Sequence, residues 1–251
     1  MKLNIKRFNK EKNPQNEISN FEVSNENLLK ALYEIKTKMD NSLTFRCGCK
    51  SGVCGSCAVR VNGVEKLACK TTINENDLIE AIKNSRIIKD LVVDVSHETS
   101  LIERTKSYIE ETQEYNISQK DIKNIDLQSN CILCNSCYSS CPVYDVNKAF
   151  LGPFALTRAL RYINDKKTPH RANIIDSIQS NGIWDCTLCS ACTMVCPQNI
   201  DPKADIMQLQ NISVQNGYTN PNTQTMDFGM DFGMDFNDDF GGFGGFNPNG
   251  F

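Results

Sequence analysis

Twelve of the thirteen cysteines in this 251-residue chain fall into three short runs, and this arrangement constrains the fold more than any other feature. The first run has the spacing C-x4-C-x2-C-x11-C and consists of Cys49, Cys54, Cys57 and Cys69. The second has the spacing C-x2-C-x2-C-x3-C-P and consists of Cys131, Cys134, Cys137 and Cys141. The third repeats the second spacing with Cys186, Cys189, Cys192 and Cys196. Thiols at such short intervals indicate loops that wrap around common centres.

Both kinds of spacing favour iron–sulfur clusters. The first is typical of a plant-type [2Fe–2S] loop, and the other two match the bacterial run of two-cluster ferredoxins. Structural zinc is one alternative, but its four-cysteine sites usually take two separated C-x2-C pairs. A disulfide framework is another, but it is typical of short secreted chains. The spacing therefore predicts a protein that carries electrons.

The count of cysteines predicts three clusters and one thiol that remains. Cys47 is that thiol, because six residues separate it from Cys54 where the plant-type loop has four, and we predict that it is not a ligand. In two-cluster ferredoxins the cysteine before the proline binds the other cluster. By this rule one [4Fe–4S] cluster takes Cys131, Cys134, Cys137 and Cys196, and the second takes Cys141, Cys186, Cys189 and Cys192.

Residues 1–100 predict a ferredoxin-like β-grasp domain around the [2Fe–2S] loop. Alternation of polar and apolar residues predicts strands over residues 2–8, 18–23 and 87–95. A helical apolar face is formed by Leu28, Leu32, Ile35 and Met39. The pair Asn62-Gly63, between two short alternating segments, indicates a hairpin that returns Cys69 to the loop.

Residues 101–215 predict an all-α domain that holds the second and third cysteine runs face to face. The period of the apolar residues becomes helical here, and helices are predicted over residues 107–115, 154–164, 173–180 and 204–214. The fold class is therefore α+β, with a ferredoxin-like β-grasp [2Fe–2S] domain followed by an all-α two-cluster ferredoxin domain.

Residues 216–251 predict a disordered acidic tail rich in Met, Asp, Phe and Gly. Its last 26 residues, from Met226 to Phe251, hold five aspartates and no basic residue. The formal net charge of −3 gives no indication of a nucleic-acid partner. No apolar run approaches the ~20 residues of a membrane span, and the N-terminus has no apolar signal core. We expect no direct membrane span and a membrane contact only through a partner.

The order of these motifs resembles the iron–sulfur subunit of the succinate dehydrogenase/fumarate reductase family. The matching segments are Phe45-Arg46, residues 49–57, residues 89–94, the second run, Leu151-Gly152-Pro153 and the third run. The resemblance covers residues 2–215. It implies a non-catalytic subunit that relays electrons between the FAD of a catalytic flavoprotein and a quinol at a cysteine-rich or haem-type membrane-anchor subunit.

Two departures from the conventional family member imply its non-conventional branch. The conventional member lacks a cysteine at the position of Cys189 and carries a [3Fe–4S] cluster, which is the alternative here if Cys189 does not ligate. A tryptophan and a histidine near its quinone are replaced by residues 143–146 and Thr187-Leu188. The branch includes methylmenaquinol:fumarate reductases, in which the complex is peripheral to the cell membrane. If this chain is of the methylmenaquinol type, the resemblance implies that its complex reaches the periplasmic face by co-export with the flavoprotein. If it is not, the cytoplasmic face is expected.

Two other functions stay open at the level of sequence. The chain could be the equivalent relay subunit of another flavoprotein oxidoreductase, such as a 2-hydroxy-acid oxidase, or a zinc-stabilised interaction module. The histidines His97 and His170 stand beside no nucleophile or paired carboxylate, so we predict a solvated or capping role for each. No catalytic residue is predicted.

Overall fold

A mixed sheet with one helix against it forms the first half of the molecule, and a group of helices forms the second. The computed structural model describes residues 1–9, 13–109 and 114–221. The predicted tail falls almost entirely on residues 222–251, which lie outside the described residues.

Seven strands form the sheet within the described residues. They are β1 (Lys2–Asn9), β2 (Asn13–Glu22), β3 (Ala58–Val61), β4 (Val64–Leu67), β5 (Asp77–Glu80), β6 (Ile87–Lys89) and β7 (Val92–Val93). The strand order is β4-β3-β5-β1-β6-β7, and β2 also pairs with β1. The pair β1–β5 is parallel, whereas the pairs β1–β2, β3–β4 and β3–β5 are antiparallel.

One helix, α1 (Leu28–Lys38), packs on the sheet. The side chain of Asn27 accepts a hydrogen bond from Lys30 N and so satisfies one of the amides left unpaired at the helix start. Leu3 and Ile5, which alternate along β1, are fully buried in the same core as the apolar face of α1. Met39 is 46% exposed because the helix ends before it, so its predicted place on that face is wrong.

Strand β5 was not among the predicted elements, although it lies between β3 and β1. The predicted strand over residues 87–95 is instead two short strands, β6 and β7. Asp90 separates them with a left-handed backbone (φ 46°). Its carboxylate accepts hydrogen bonds from Arg7 Nε at 2.9 Å and from Thr44 N at 2.8 Å, which fixes this turn against β1.

Short helices separated by loops make up the rest of the described chain. They are α2 (His97–Arg104), α3 (Gln119–Lys123), α4 (Asp126–Ser129), α5 (Ser136–Ser139), α6 (Pro142–Val146), α7 (Pro153–Asn164), α8 (Arg171–Ser177), α9 (Ala191–Met194) and α10 (Pro202–Gln215). Proline opens α6, α7 and α10, where a missing N–H leaves no bond unmade. Residues 107–109 and 114–115 of the predicted helix 107–115 are not helical. No helix of the described ranges is long and apolar enough to cross a membrane.

Helix α5 joins the two halves. Ser139 Oγ donates to the buried Glu65 Oε1 at 2.6 Å and accepts from Lys83 N at 2.7 Å. Asn84 Nδ2 donates to the carbonyl of Tyr138 at 2.8 Å. Because these bonds link the hairpin and the segment after β5 to the same helix turn, the halves share a fixed interface.

We expect the substitution Asp90→Ala to lower the free energy of unfolding by about 3 kcal/mol, the order found when one partner of a buried ion pair is removed. Asp90 is only 2% exposed, and its loss leaves Thr44 N without a partner. Urea denaturation of the full chain, followed by circular dichroism, measures the change. Asp94→Ala is the control, because its ion pair with Arg86 is on the surface; equal losses in the two variants would contradict the prediction.

Candidate iron–sulfur sites

The first set of cysteines lies on the loop between α1 and β3 and on the turn after β4. We define the first set as Cys49, Cys54, Cys57 and Cys69. Cys57 is buried just before β3, and Cys69 lies in the 3₁₀ turn Ala68–Lys70. The predicted hairpin is confirmed, and it returns the chain so that Ala68 N donates to Cys57 O at 3.0 Å. Cys69 is thereby placed beside Cys57.

Backbone amides surround one thiol of the first set. Ser51 N and Val53 N each donate to Cys49 Sγ at 3.4 Å. Hydrogen bonds from Ser51 lower the pKa of Cys49 to about 6, and the one from its side chain has a larger effect than the one from its backbone. Burial raises the pKa of Cys57 to about 11. The set thus combines one thiol that ionises readily with one that keeps its proton until metal displaces it.

Cys47, the thirteenth cysteine, has a neighbour outside the first set. Its exposed Sγ lies 2.7 Å from the hydroxyl of Tyr33 on α1. Lys50 Nζ lies 5.1 Å from the centre of the same ring. The structure therefore shows Cys47 in contact with α1, and its exclusion from the ligands stays a prediction.

The middle set lines a cavity in the helical half. We define it as Cys131, Cys134, Cys137 and Cys196. Phe154, Ile200 and Pro202 line the same cavity, so its walls are largely apolar. Burial raises the pKa of Cys131 to about 11 and that of Cys137 far above its usual range. Three thiols of this set come from the second run and one from the third.

The third set lines a second cavity, together with Phe150, Pro153 and Ile206. We define the third set as Cys141, Cys186, Cys189 and Cys192. Cys141 Sγ accepts from Tyr144 N at 3.4 Å, and Cys186 Sγ accepts from Leu188 N at 3.4 Å. Burial raises the pKa of Cys192 to about 12. Here three thiols come from the third run and one from the second.

The chemistry of these donors fits iron–sulfur clusters, because each set offers four thiols and thiolates are the ligands of such clusters. Among the described residues, no three His, Cys, Asp or Glu side chains are close enough together to hold one metal ion. The ligand assignments of the twelve cysteines follow the sequence prediction and stay a prediction.

The three sets lie in a row with the middle set between the others. Cys54 of the first set and Cys134 of the middle set line one polar cavity between the two halves. On the other side, α5, which carries Cys137 of the middle set, packs against α9, which carries Cys192 of the third set. The middle set is therefore adjacent to the first set on one side and to the third set on the other.

A polar network behind the middle set was missed by sequence reasoning. His97 Nε2 donates to Asn135 Oδ1 at 3.1 Å, and Asn135 Nδ2 donates to Glu98. Burial lowers the pKa of His97 and raises that of Glu98. His97 is half-buried against Tyr138, so its predicted solvated or capping role is wrong. The one sign of this network in the sequence is the position of Asn135 between Cys134 and Cys137 of the second run.

We expect Cys54→Ser or Cys57→Ser to remove or strongly perturb the EPR signal of the [2Fe–2S] cluster and to spare the other two signals, because the middle and third sets have their own cysteines. Cys47→Ser is the matched control and should change little. EPR of the reduced, reconstituted full chain measures the signals. If Cys47→Ser lost the [2Fe–2S] signal and Cys49→Ser kept it, the choice between these two ligands would be reversed.

Two family models match the two halves of the chain. A 2Fe-2S iron-sulfur cluster binding domain matches residues 2–100, and a 4Fe-4S dicluster domain matches residues 128–200. Together with the cysteine sets, these matches fit one [2Fe–2S] cluster and [4Fe–4S] clusters as the cofactors. They also agree with the predicted fold class.

Curated relatives are similar over most of the chain. The fumarate reductase iron-sulfur subunit of Haemophilus influenzae is 35% identical over 232 residues, which cover 83% of this chain and 91% of the relative. The 8-methylmenaquinol:fumarate reductase iron-sulfur subunit of Wolinella succinogenes is 32% identical and covers 86% and 74%. A chain of the Mycobacterium smegmatis Sdh1 complex in the apo form shares the fold, with a TM-score of 0.74, 24% identity, and 87% of this chain and 97% of that chain covered. The chain therefore belongs to the family of fumarate reductase/succinate dehydrogenase iron–sulfur subunits.

Proposed function

We propose that the chain relays electrons between the FAD of a catalytic flavoprotein subunit and a quinol at a membrane-anchor subunit. The observation that carries this proposal is the exposure of the cysteines at the two ends of the row. Cys49 of the first set and Cys189 of the third set are exposed, whereas none of the four cysteines of the middle set is. Partners can therefore approach an exposed thiol at both ends, whereas the middle set has no exposed thiol.

The chain's own residues hold the centres and shield them. When bound, the clusters accept and release electrons, and hydrogen bonds to sulfur and solvent exposure tune their potentials. The amides of Ser51 and Val53 stabilise negative charge at Cys49, and the amide of Tyr144 does so at Cys141. Phe154 and the other apolar walls of its cavity shield the middle set from water in part.

Exposed apolar residues lie close to both ends of the row. Val53, within the first loop, is 64% exposed, and Val146, at the end of α6, is 86% exposed. We assign the Val53 end to the flavoprotein and the Val146 end, beyond Cys141, to the membrane anchor. The chain would then be peripheral to the cell membrane and held there by partner subunits.

The quinol is proposed to be methylmenaquinol. Cys189 completes a fourth thiol for the third set, and one relative bears the name 8-methylmenaquinol:fumarate reductase iron-sulfur subunit. A cysteine-rich anchor and the periplasmic face, reached by co-export with the flavoprotein, belong to the same proposal. For other quinols, the alternative is a haem-type anchor and the cytoplasmic face.

We expect the purified, cluster-loaded chain to reduce no fumarate with a dye donor, because the proposal assigns hydride transfer to the FAD of the partner. Activity should appear when the flavoprotein is added. Dye oxidation measured with and without the flavoprotein tests this, and a flavoprotein without the chain is the control. Substantial turnover by flavin-free chain would contradict a pure relay.

We expect the third set to hold a [4Fe–4S] cluster that is EPR-silent after anaerobic isolation, since four thiolates are available. Cys189→Ala should convert it to a [3Fe–4S] cluster, which is paramagnetic when oxidised, and should raise its potential because a thiolate charge is lost. EPR redox titration measures both effects, with Cys47→Ala as the control for loss of an exposed thiol. A stoichiometric oxidised [3Fe–4S] signal in the unaltered protein would show that Cys189 is not a ligand.

A further inference from the structure

The loop of the first set touches the loop of the middle set at one glycine. Gly55 stands between Cys54 and Cys57 and has a left-handed backbone (φ 71°). A Cβ atom on Gly55 would lie 2.7 Å from the carbonyl oxygen of Ile132 and 3.0 Å from both Cα and Cβ of Cys134. Real Cβ atoms essentially never approach another heavy atom within 3.0 Å, so an added carbon must displace one loop from the other.

Contacts on their far sides hold both loops in place. Ala58 N donates to Gly55 O at 3.2 Å, which ties Gly55 to the start of β3. On the other side Ile132 and Cys134 pack against the core of the sheet, and Asn135 is held by His97 and Glu98. The atoms that block a Cβ are mostly backbone, which cannot rotate away as a side chain can.

The contact joins two ligand positions by a short route. Gly55 is bonded directly to Cys54, and Cys134 is one of the residues it touches. Electronic coupling between two centres falls steeply with their separation, so a shift of the loops at this contact would weaken it. The same glycine thus affects both the packing of the halves and the distance between two sets.

We propose that Gly55 is a positioning residue for electron transfer, whose missing side chain sets the separation between the first and middle sets. This inference rests on the proposed relay function. It assigns no chemistry to Gly55 itself, only the close approach of two cysteine loops.

Gly52 provides a matched control in the same loop. Its backbone is also left-handed (φ 86°), so an alanine there suffers comparable backbone strain. A Cβ on Gly52 would meet only side-chain carbons of the exposed Lys70, with Cε at 2.7 Å. That side chain can move aside, so Gly52→Ala changes the backbone preference without separating the two loops.

The test uses the full chain with its clusters loaded, as Gly55→Ala, Gly52→Ala and the unaltered protein. Iron content and the individual EPR signals establish that the clusters are present. The readout is the enhancement of [2Fe–2S] spin relaxation by the neighbouring reduced cluster, together with the rate of electron transfer between them after rapid reduction. Gly55→Ala should keep its signals but lose most of the enhancement and slow the transfer several-fold, whereas Gly52→Ala should behave as the unaltered protein.

Every other outcome either overturns the proposal or requires a second variant to decide. Unchanged relaxation and transfer in loaded Gly55→Ala, or equal losses in Gly52→Ala, overturn it. If Gly55→Ala fails to load, Gly55→Asn decides, because asparagine tolerates a left-handed backbone and still carries a Cβ. Loaded Gly55→Asn with weakened coupling supports the proposal, and failure of both Gly55 variants to load overturns it in favour of a role in loop folding. The measurements need no partner subunit, so a failed fumarate assay leaves their result intact.

Discussion

The position of the middle cysteine loop, residues 131–137, between the two halves is the constraint on which the rest of the structure depends. Ile132 and Cys134 pack against the core of the sheet, whereas Cys131 and Cys137 pack against the helical core. Cys196 approaches from the third run and closes the cavity. Because one loop belongs to both cores and contributes to a cluster site, a disturbance on either side changes the site. The two halves therefore depend on each other more than their separate family models suggest.

Burial of the thiols couples the folding of the helical half to its metal. The pKa of Cys131 is raised to about 11 and that of Cys192 to about 12, mainly by burial, so without iron these groups hold protons. Cluster insertion must release those protons, and the binding free energy then contributes to folding. Cys49 differs because hydrogen bonds from Ser51 lower its pKa to about 6 at the exposed end of the row. The pKa of each of these thiols is thus decided by its own surroundings, which are burial for Cys131 and Cys192 and hydrogen bonds for Cys49.

Elements with local causes were predicted, and elements with distant causes were not. The hairpin follows from Asn62-Gly63, because both residues adopt the left-handed backbone that a tight turn needs. Strand β5 carries no comparable local signal, since its place is decided by parallel pairing with β1, far away in the sequence. The single strand over residues 87–95 failed at Asp90 for a similar reason. The turn there is fixed by hydrogen bonds from Arg7 and Thr44, which no window around Asp90 contains.

By itself the sequence determined which cysteines form each run and what chemistry they favour, because a cluster loop is specified by short spacings along the chain. The crossed sets were expected only from a rule about two-cluster ferredoxins, and the packing of α5 near α9 is what places Cys196 with the second run and Cys141 with the third. Tertiary structure also decided that Tyr33 lies beside Cys47 and that Gly55 touches Cys134. These contacts join segments that are far apart in sequence, so only the packing of the cores could bring them together.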